Sequence, residues 1–282
     1  MKTSLDCIPC LLRQTLEAAR LITSDSSTHE RLLREALHWA ERMDLNQSPP
    51  AMAQRIHRRL REMTGVNDPY RETKEWQNRV VMEMLPALQA EVMASGDPLL
   101  TATRLAIAGN AIDMGSNGQL TEQDVRQAVQ KAQMDPFSGD VERFRGAVSQ
   151  AETILYLADN AGEIAIDRLL VDQLLPRRII VVVRGFHVLN DATRVDAERV
   201  GLDPVVEVID NGSDAPGTIL SDGSQELRER FSAADLIIAK GQGNYESLSD
   251  EPGNIFFLFK VKCRVIADRV GQPMGTQMLL HA

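Results

Sequence analysis

The 282-residue sequence contains only three cysteines, and this small, odd number argues against a disulfide-stabilised framework. It also lacks any apolar run approaching the roughly 18 residues that a membrane-spanning helix needs. The N-terminal stretch MKTSLDCIPCLLRQ has an early acidic residue and an arginine after a short apolar run, which is not typical of a signal peptide. We therefore expect a soluble protein of a reducing compartment, the cytoplasm.

An excess of positive charge is missing as well, because the formal net charge is -9 at pH 7. Such an acidic balance argues against a nucleic-acid backbone as the main partner, although a local basic pocket for a small anion is compatible with it. The hydrophobic content of 43% and the absence of long polar tracts predict one large folded domain or two smaller ones.

The first half of the sequence has helical periodicity. The segment STHERLLREALHWAERM places apolar residues at the spacing of one helix face. In the next segment, Ser48 is a possible N-cap, prolines occupy the first turn and Gly65 is a stop signal. A long helical pattern follows, which Pro86 is predicted to kink or divide.

The second half has a different period. It contains the short apolar runs TILYLA, RIIVVVR, VVEVID, DLIIAK and IFFLF, and helical patterns separate most of them. Strands of this kind, alternating with helices, predict a mostly parallel sheet that is covered on both faces. We predict an α/β fold: a helical domain (1–145) packed on a mostly parallel, doubly wound, three-layer α/β domain (146–282).

Polar and glycine-rich sequence follows each of the first four predicted strands. In doubly wound sheets, ligands bind beyond the carboxyl ends of the strands, so these tips are the candidate site. The residues of interest there are Asp159, Asn160, Gly162, Glu163, Asn190, Asp191, Lys240 and Asn244.

Three of these side chains offer hard oxygen donors. Asp159, Asn160 and Asp191 would suit Mg²⁺ or Mn²⁺, with water in the remaining positions. Gly162 would let a helix N-terminus approach an anion closely, and Lys240 would add a cation at a neighbouring tip. A metal, a helix N-terminus and a lysine around one crevice indicate a phosphoryl site.

Structural alternatives exist for each of these residues. Asp and Asn often cap the helix that follows a strand, and Asp191 could cap the helix ATRVDAERV. Lys240 could be a solvated loop residue. Asn110 and Asp113, in AGNAIDMG, could end a helix or reach across from the helical half to close the crevice. The sequence contains no P-loop, no G-x-G-x-x-G that opens a helix and no G-x-S-x-G elbow.

The cysteines leave three readings open. Cys7 and Cys10 form a C-x-x-C at the start of a helical pattern, and Cys263 is distant in sequence. They could be buried structural thiols, ligands of a structural metal or a redox pair. The histidines show no metal-ligand spacing, and only His187 lies beside the predicted site.

Taken together, the motifs resemble a known family. The ordered series DCIPC, AGNAID, LADNAGE, RGFHVLNDATRVDA, DNGSDAPGT, AKGQGNYESL and FFLFKVKC resembles the metal-dependent damage-control phosphatases, formerly a domain of unknown function. The resemblance covers nearly the whole chain, and the early C-x-x-C is similar to the prokaryotic branch.

The resemblance implies a helical part packed on an α/β domain and hydrolysis of small phosphomonoesters such as sugar phosphates or phosphopantetheine-like metabolites, often damaged ones. It implies a divalent metal (Mg²⁺, Mn²⁺, Co²⁺ or Ni²⁺) held by Asp159, Asn160 and Asp191. It also implies a phosphate contact from Lys240 and substrate contacts near Asn110 and Asp113. To this substrate site we add Gly162, Glu163 and Asn244, from the same tips. The expected partner is a small phosphorylated metabolite, without nucleic acid or membrane.

Two rival functions remain at this level. The first is a carboxyl methyltransferase that uses a methyl donor at the same sheet edge, where Asp210 could bind the adenosine. The second is a regulatory protein that binds a metal or nucleotide without catalysis. For hydrolysis, the nucleophile is open between a water molecule at the metal and a carboxylate, with Asp159 the first candidate.

Overall fold

The computed structural model describes residues 1–109 and 122–282. The first range and the start of the second are helical: α1 (Cys7–Ile22), α2 (Ser26–Glu41), α3 (Pro49–Thr64), α4 (Arg71–Ala94), α5 (Pro98–Gly109) and α6 (Glu122–Met134). As predicted, Ser48 is at the N-cap of α3, and Gly65 ends that helix with a left-handed φ of 70°. In the described ranges, no helix combines the length and apolar character that crossing a membrane requires.

Helix α4 runs through Pro86, so this proline does not divide it. A proline in a helix interior removes one backbone hydrogen bond and costs about 3 kcal/mol. Val81 lies before the proline and Leu88 after it, and both belong to the same buried core. Burial of both halves against one surface therefore outweighs the cost of the proline.

Seven strands of the described chain form one sheet: β1 (Phe137–Gly139), β2 (Thr153–Leu157), β3 (Arg178–Val183), β4 (Glu207–Asp210), β5 (Leu236–Lys240), β6 (Ile255–Lys260) and β7 (Gln277–His281). Their order is β1-β7-β6-β5-β2-β3-β4, and every neighbouring pair is parallel except β6 with β7. The five apolar runs of the sequence form β2 to β6. The short strands β1 and β7 were not predicted.

Both faces of the sheet are covered. Ile154 and Tyr156 of β2 contribute to one core, whereas Leu155 and Leu157 contribute to the other. The helices of this part are α7 (Val141–Gln150), α8 (Glu163–Leu174), α9 (Arg194–Arg199), α10 (Gln225–Ala233), α11 (Gly241–Leu248) and α12 (Arg264–Val270). The predicted α/β class, with a helical N-terminal part and a mostly parallel sheet, is confirmed.

The helical part contacts the α/β part through α4 and α5, which both pack on α8. Their apolar residues join the core on that side of the sheet. Strand β1 and the first half of α7 lie before residue 146, and β1 completes the edge of the sheet by pairing with β7. The domain boundary between residues 145 and 146 stays a prediction. The packing of α4 on α8 brings α4 next to the helix that follows the tip of strand β2.

One buried histidine in α3 makes the stability depend on pH. The pKa of His57 is lowered to about 4, chiefly by burial and then by the charge of Arg61, while Asp214 opposes the shift. The ordinary pKa of an unfolded histidine is about 6.5. As the pH falls from about 6.5 to 4, the unfolded chain therefore gains a proton that the folded protein does not, and the free energy of unfolding falls.

We expect His57 to account for a loss of about 2 kcal/mol in the free energy of unfolding between pH 7 and pH 5. The substitution His57→Leu should remove this part of the pH dependence, measured by urea unfolding at both pH values. His38→Leu is the matched control, because the side chain of His38 is 55% exposed. If His57→Leu and the wild type lose equal stability over this range, His57 is not the titrating group.

Candidate active site

The candidate site lies where the sheet order changes direction. From β2 the chain adds β3 and β4 on one side, and β5 and β6 lie on the other, so the crevice between β2 and β5 is the switch point at which such sheets bind ligands. Asp159 follows β2, Arg184 follows β3, and Lys240 ends β5. The parallel register of β2 with both neighbours brings these tips side by side.

The three predicted metal ligands are close together. Asn160 and Asp191 form an isolated antiparallel bridge, and Ala192 N–H donates to the carbonyl oxygen of Asp159 at 2.8 Å. The side-chain amide of Asn160 donates to Asp159 Oδ2 at 2.8 Å and to Glu163 Oε2 at 3.2 Å. Backbone hydrogen bonds between the loop after β2 and the loop after β3 therefore hold Asp159, Asn160 and Asp191 in place relative to one another.

Asp191 is not the cap of the helix that follows it. Helix α9 has Thr193 at its N-cap, and Thr193 and Asp196 form a reciprocal capping box. Asp191 instead accepts a hydrogen bond from Arg184 Nε at 2.7 Å. The capping alternative raised by the sequence is thus excluded for Asp191.

Two glycines allow the backbone to approach this cluster. Gly162 has a φ of 74°, and a Cβ atom there would lie 3.0 Å from the Cβ of Gln77 in α4. Gly241 has a φ of 79°, and a Cβ atom there would lie 1.9 Å from Asp159 Oδ2. A side chain at position 241 would displace the Asp159 carboxylate, so this glycine is required for the geometry of the site.

Lys240 is completely buried, and all three of its ammonium protons have protein acceptors. Its Nζ lies 2.6 Å from Glu163 Oε1, 2.5 Å from Asp167 Oδ1 and 2.9 Å from the carbonyl oxygen of Ala106. Burial by itself lowers the pKa of Lys240, but the carboxylates of Asp167 and Glu163 outweigh burial and raise it. The solvated-loop alternative is therefore excluded. Its predicted phosphate contact stays a prediction, because such a contact would require one acceptor to be exchanged.

Asn244 is also fully buried. Its amide donates to the carbonyl oxygens of Lys240 at 2.7 Å and Ala158 at 3.3 Å, and its Oδ1 accepts from Thr218 Oγ1 at 2.8 Å. Asn244 therefore ties the tip of β5 to the tip of β2. Its substrate contact, like that of Glu163, stays a prediction.

The backbone N–H groups at the start of α8 are largely engaged within the protein. Gly162 N–H donates to Asn78 Oδ1 at 2.7 Å, and Ala161 N–H donates to the carbonyl oxygen of Asn190 at 2.8 Å. The anion contact predicted for this helix end stays a prediction. Asn110 and Asp113 lie outside the described residues, and Gly109, the residue before them, packs against Glu163.

The electrostatics of the cluster favour a cation. Burial, then the charges of Glu163 and Asp191, raise the pKa of Asp159 well above its usual range. Burial also raises the pKa of Asp191, although Arg184 opposes it. Four buried carboxylates (Asp159, Glu163, Asp167 and Asp191) face two buried cations (Arg184 and Lys240). When ionised, the cluster has two excess negative charges, which one divalent ion would balance.

The donor chemistry fits the same ion. Two carboxylates and an amide are ligands that Mg²⁺ and Mn²⁺ accept when water completes the coordination shell. Among residues 1–109 and 122–282, no group of three or more His, Cys, Asp or Glu side chains is arranged to hold a metal. The candidate set Asp159, Asn160 and Asp191 contains only two such residues, so its support comes from charge balance and donor type.

Comparison with known proteins identifies the same family that the sequence motifs resemble. The model of the "Damage-control phosphatase ARMT1-like domain" matches residues 3–278 of this chain. The chain belongs to this family.

Individual relatives extend the agreement over the whole length. A damage-control phosphatase of Archaeoglobus fulgidus is 36% identical over 284 residues, covering 98% of this chain and 97% of the relative. Another, of Pyrococcus horikoshii, is 30% identical over 287 residues, covering 100% and 98%. The crystal structure of a DUF89-family protein from Pyrococcus horikoshii matches with a TM-score of 0.90 at 29% identity, covering 100% and 99%. These names support a phosphatase.

Membership of the damage-control phosphatase family does not settle the role of the cysteines. Cys7, Cys10 and Cys263 are free thiols, and Cys10 is exposed. Cys263 Sγ lies 3.6 Å from Gln242 Nε2, next to helix α11. Assignment to the branch with an N-terminal C-x-x-C stays a prediction.

A polar cavity of about 490 Å³ lies between α4 and the loop that carries Asp191. Lys74 and Asp68 of the helical part line it together with His187, and His187 Nδ1 is 3.1 Å from Asp68 Oδ2 and 3.2 Å from Lys74 Nζ. The charge of Lys74 acts on Asp191, which indicates that the cavity lies near the metal-ligand cluster. Its volume is in the range of small-ligand sites.

Two residues near the candidate site were not identified from the sequence. Arg184 ends the run RIIVVVR and was counted only as the end of a strand. Asn78 donates to Asp196 Oδ1 at 2.8 Å while accepting from Gly162 N–H, and so joins the two loops of the candidate metal site. Arg184 directly follows a predicted strand, and this position could have identified it as a candidate site residue. Asn78 lies in α4, and no sequence pattern relates it to the site.

Proposed function

We propose that this protein is a cytoplasmic, metal-dependent enzyme that hydrolyses small phosphomonoesters. The observation that carries the proposal is the buried cluster at the switch point, where four carboxyl groups accompany two cations and the oxygen donors fit one divalent cation. The expected substrate class is sugar phosphates or phosphopantetheine-like metabolites, including damaged ones.

Asp159, Asn160 and Asp191 would hold the ion, which could be Mg²⁺, Mn²⁺, Co²⁺ or Ni²⁺. When bound, such an ion neutralises charge on the transferring phosphoryl group. Glu163 orients the Asn160 amide, and Asn244 holds the β5 and β2 tips in register. Lys240 pairs with the Glu163 and Asp167 carboxylates and so positions them beside the proposed metal ligands.

The organic part of the substrate would occupy the cavity between α4 and the Asp191 loop. Its lining contains both signs of charge, including Arg71, Lys74 and Asp68, and few apolar side chains. Such a lining favours a polar, hydroxyl-rich or charged group over an apolar one. Asn110 and Asp113 are proposed to contribute from the helical side.

The methyltransferase alternative has less support. Asp210, its candidate adenosine ligand, accepts a hydrogen bond from Gly212 N–H at 3.0 Å and so has a role in its own turn. Two relatives are named as damage-control phosphatases. The phosphate-release experiment described next distinguishes an enzyme from a purely regulatory protein.

We expect the purified protein to release phosphate from p-nitrophenyl phosphate and sugar phosphates only when a divalent cation is present. Exhaustive chelation should lower the rate at least tenfold, and adding back Mg²⁺, Mn²⁺, Co²⁺ or Ni²⁺ one at a time should restore it. Phosphate release would be measured colorimetrically. Full activity after chelation would contradict metal dependence, and no release with any of the four ions would contradict the phosphatase assignment.

A further inference from the structure

Arg184 is a buried cation with unused hydrogen-bond donors. Its side chain is 1% exposed, and Nε donates to Asp191 Oδ2 at 2.7 Å. Nη2 lies 3.5 Å from Asp159 Oδ1, an ion pair without a hydrogen bond. Within the described residues, neither Nη1 nor Nη2 has a hydrogen-bond partner.

Leaving these donors unused is costly. A buried donor without an acceptor destabilises the fold, and does so more strongly when it belongs to a charged group. Native proteins satisfy most such groups, so the exceptions call for a ligand, an ion or a catalytic role. Four N–H bonds of one guanidinium, two on each Nη, are in this position beside the proposed metal ligands.

The other buried cation of the site differs in this respect. All three protons of Lys240 are engaged by Glu163, Asp167 and the Ala106 carbonyl. An anion that entered the cluster would have to displace one of these acceptors to reach Lys240. It would displace no hydrogen bond in reaching the Nη atoms of Arg184.

Arg184 also lies next to the opening of the cluster. Asp159 is the most exposed of the buried charged residues, at 8%, and Asn160 beside it is partly exposed. Nη2 of Arg184 is 3.5 Å from Oδ1 of Asp159. The planar fork of a guanidinium matches two oxygens of a phosphoryl group, which a single ammonium does not.

We propose that Arg184, through Nη1 and Nη2, is the principal phosphate-binding side chain of the site, and that Lys240 is a positioning residue. The substrate's phosphoryl oxygens would complete the hydrogen bonds that the fold leaves open on Arg184, while Nε keeps Asp191 in place. This inference rests on the proposed phosphatase function and refines it, since it assigns the anion contact to a different residue.

The test is Arg184→Lys, which keeps the positive charge but removes the fork. We expect its affinity for inorganic phosphate, measured by calorimetry with Mg²⁺ present, to fall at least tenfold, and kcat/KM for p-nitrophenyl phosphate to fall about 10²-fold. Mg²⁺ affinity without phosphate should stay within about threefold of wild type. Arg168→Lys is the matched control. Arg168 donates to the carbonyl oxygen of Val200, the residue after α9, away from the strand tips. This variant should leave phosphate affinity, kcat/KM and Mg²⁺ affinity unchanged.

Two results would overturn the assignment. Wild-type phosphate affinity in Arg184→Lys would show that charge alone is required, as for a residue that only neutralises the two carboxylates. A parallel loss of Mg²⁺ and phosphate affinity would show that Arg184 acts by positioning Asp191.

A crystal structure of the wild type with inorganic phosphate and Mg²⁺ provides a readout that does not depend on the variant folding. We expect a phosphate oxygen within hydrogen-bonding distance of Arg184 Nη1 or Nη2, and a phosphate bound in the site without this contact would overturn the proposal. The proposed function fails separately, if the wild type itself releases no phosphate from any ester tested.

Discussion

Lys240→Met is expected to lower the free energy of unfolding by about 3–5 kcal/mol, the cost of removing one partner from a buried ion pair. The variant leaves the Glu163 and Asp167 carboxylates buried without the cation that lies 2.6 and 2.5 Å from them. It also leaves the carbonyl oxygen of Ala106 without this donor. Urea unfolding at pH 7 would measure the loss.

Lys260→Met is the matched control for this experiment. Lys260 ends the neighbouring strand β6 and pairs with Asp135 at 2.6 Å, but its side chain is 22% exposed. Water can solvate the remaining Asp135 carboxylate, so we expect a loss of about 1 kcal/mol or less. Adding Asp167→Asn to Lys240→Met should recover part of the stability, because one buried charge is removed. Equal, small losses for both lysines would contradict the buried network.

Asp191→Asn is expected to reduce kcat/KM by about 10²–10³ while leaving the protein folded. The amide keeps an oxygen for Arg184 Nε but removes one of the two carboxylates of the proposed metal site. Because burial raises the pKa of Asp191, the ionised carboxylate is disfavoured in the fold without metal. The variant's thermal stability without metal should therefore equal or exceed that of the wild type, and the stabilisation produced by Mg²⁺ or Mn²⁺ should shrink.

Asp210→Asn is the matched control, since Asp210 ends strand β4 at the same edge of the sheet and its side chain accepts a hydrogen bond from Gly212 N–H in its own turn. It should retain turnover and the metal-induced rise in melting temperature. The same variant addresses the methyltransferase alternative, which requires a role in catalysis for Asp210. A metal response in Asp191→Asn that matches the wild type would remove Asp191 from the ligand set.

Much of this architecture was readable because parallel strands have a strong sequence signal. The five apolar runs became β2 to β6, and the rule that ligands bind beyond strand tips brought Asp159, Asn160 and Asp191 together correctly. β1 has only three residues, and β7 has five. Neither has a local pattern that distinguishes a short strand from a loop.

The surroundings of Lys240 could not be predicted from local sequence. Its partner Asp167 lies one turn into α8, and Ala106 belongs to α5, so the contacts depend on how two helices pack at the end of a strand. Asn78 is a similar case. A residue's type and its place beside a strand predict that it is near the site, whereas its hydrogen-bond partners depend on the packing of distant elements.

The arrangement of β1 has a consequence for the order in which the protein can fold during synthesis. Gly139 of β1 pairs with Leu279 of β7, and about 140 residues separate these strands along the chain. At translation rates of about 5–20 residues per second, β1 waits roughly 7–28 s for the strand that flanks it. Near the end of that interval, once residue 260 has been added, the nascent chain carries the apolar strand β6 without its β7 neighbour, and such an open edge is a template for pairing with other chains. Ribosome-bound chains that stop short of β7 should therefore be the species that aggregates or recruits chaperones.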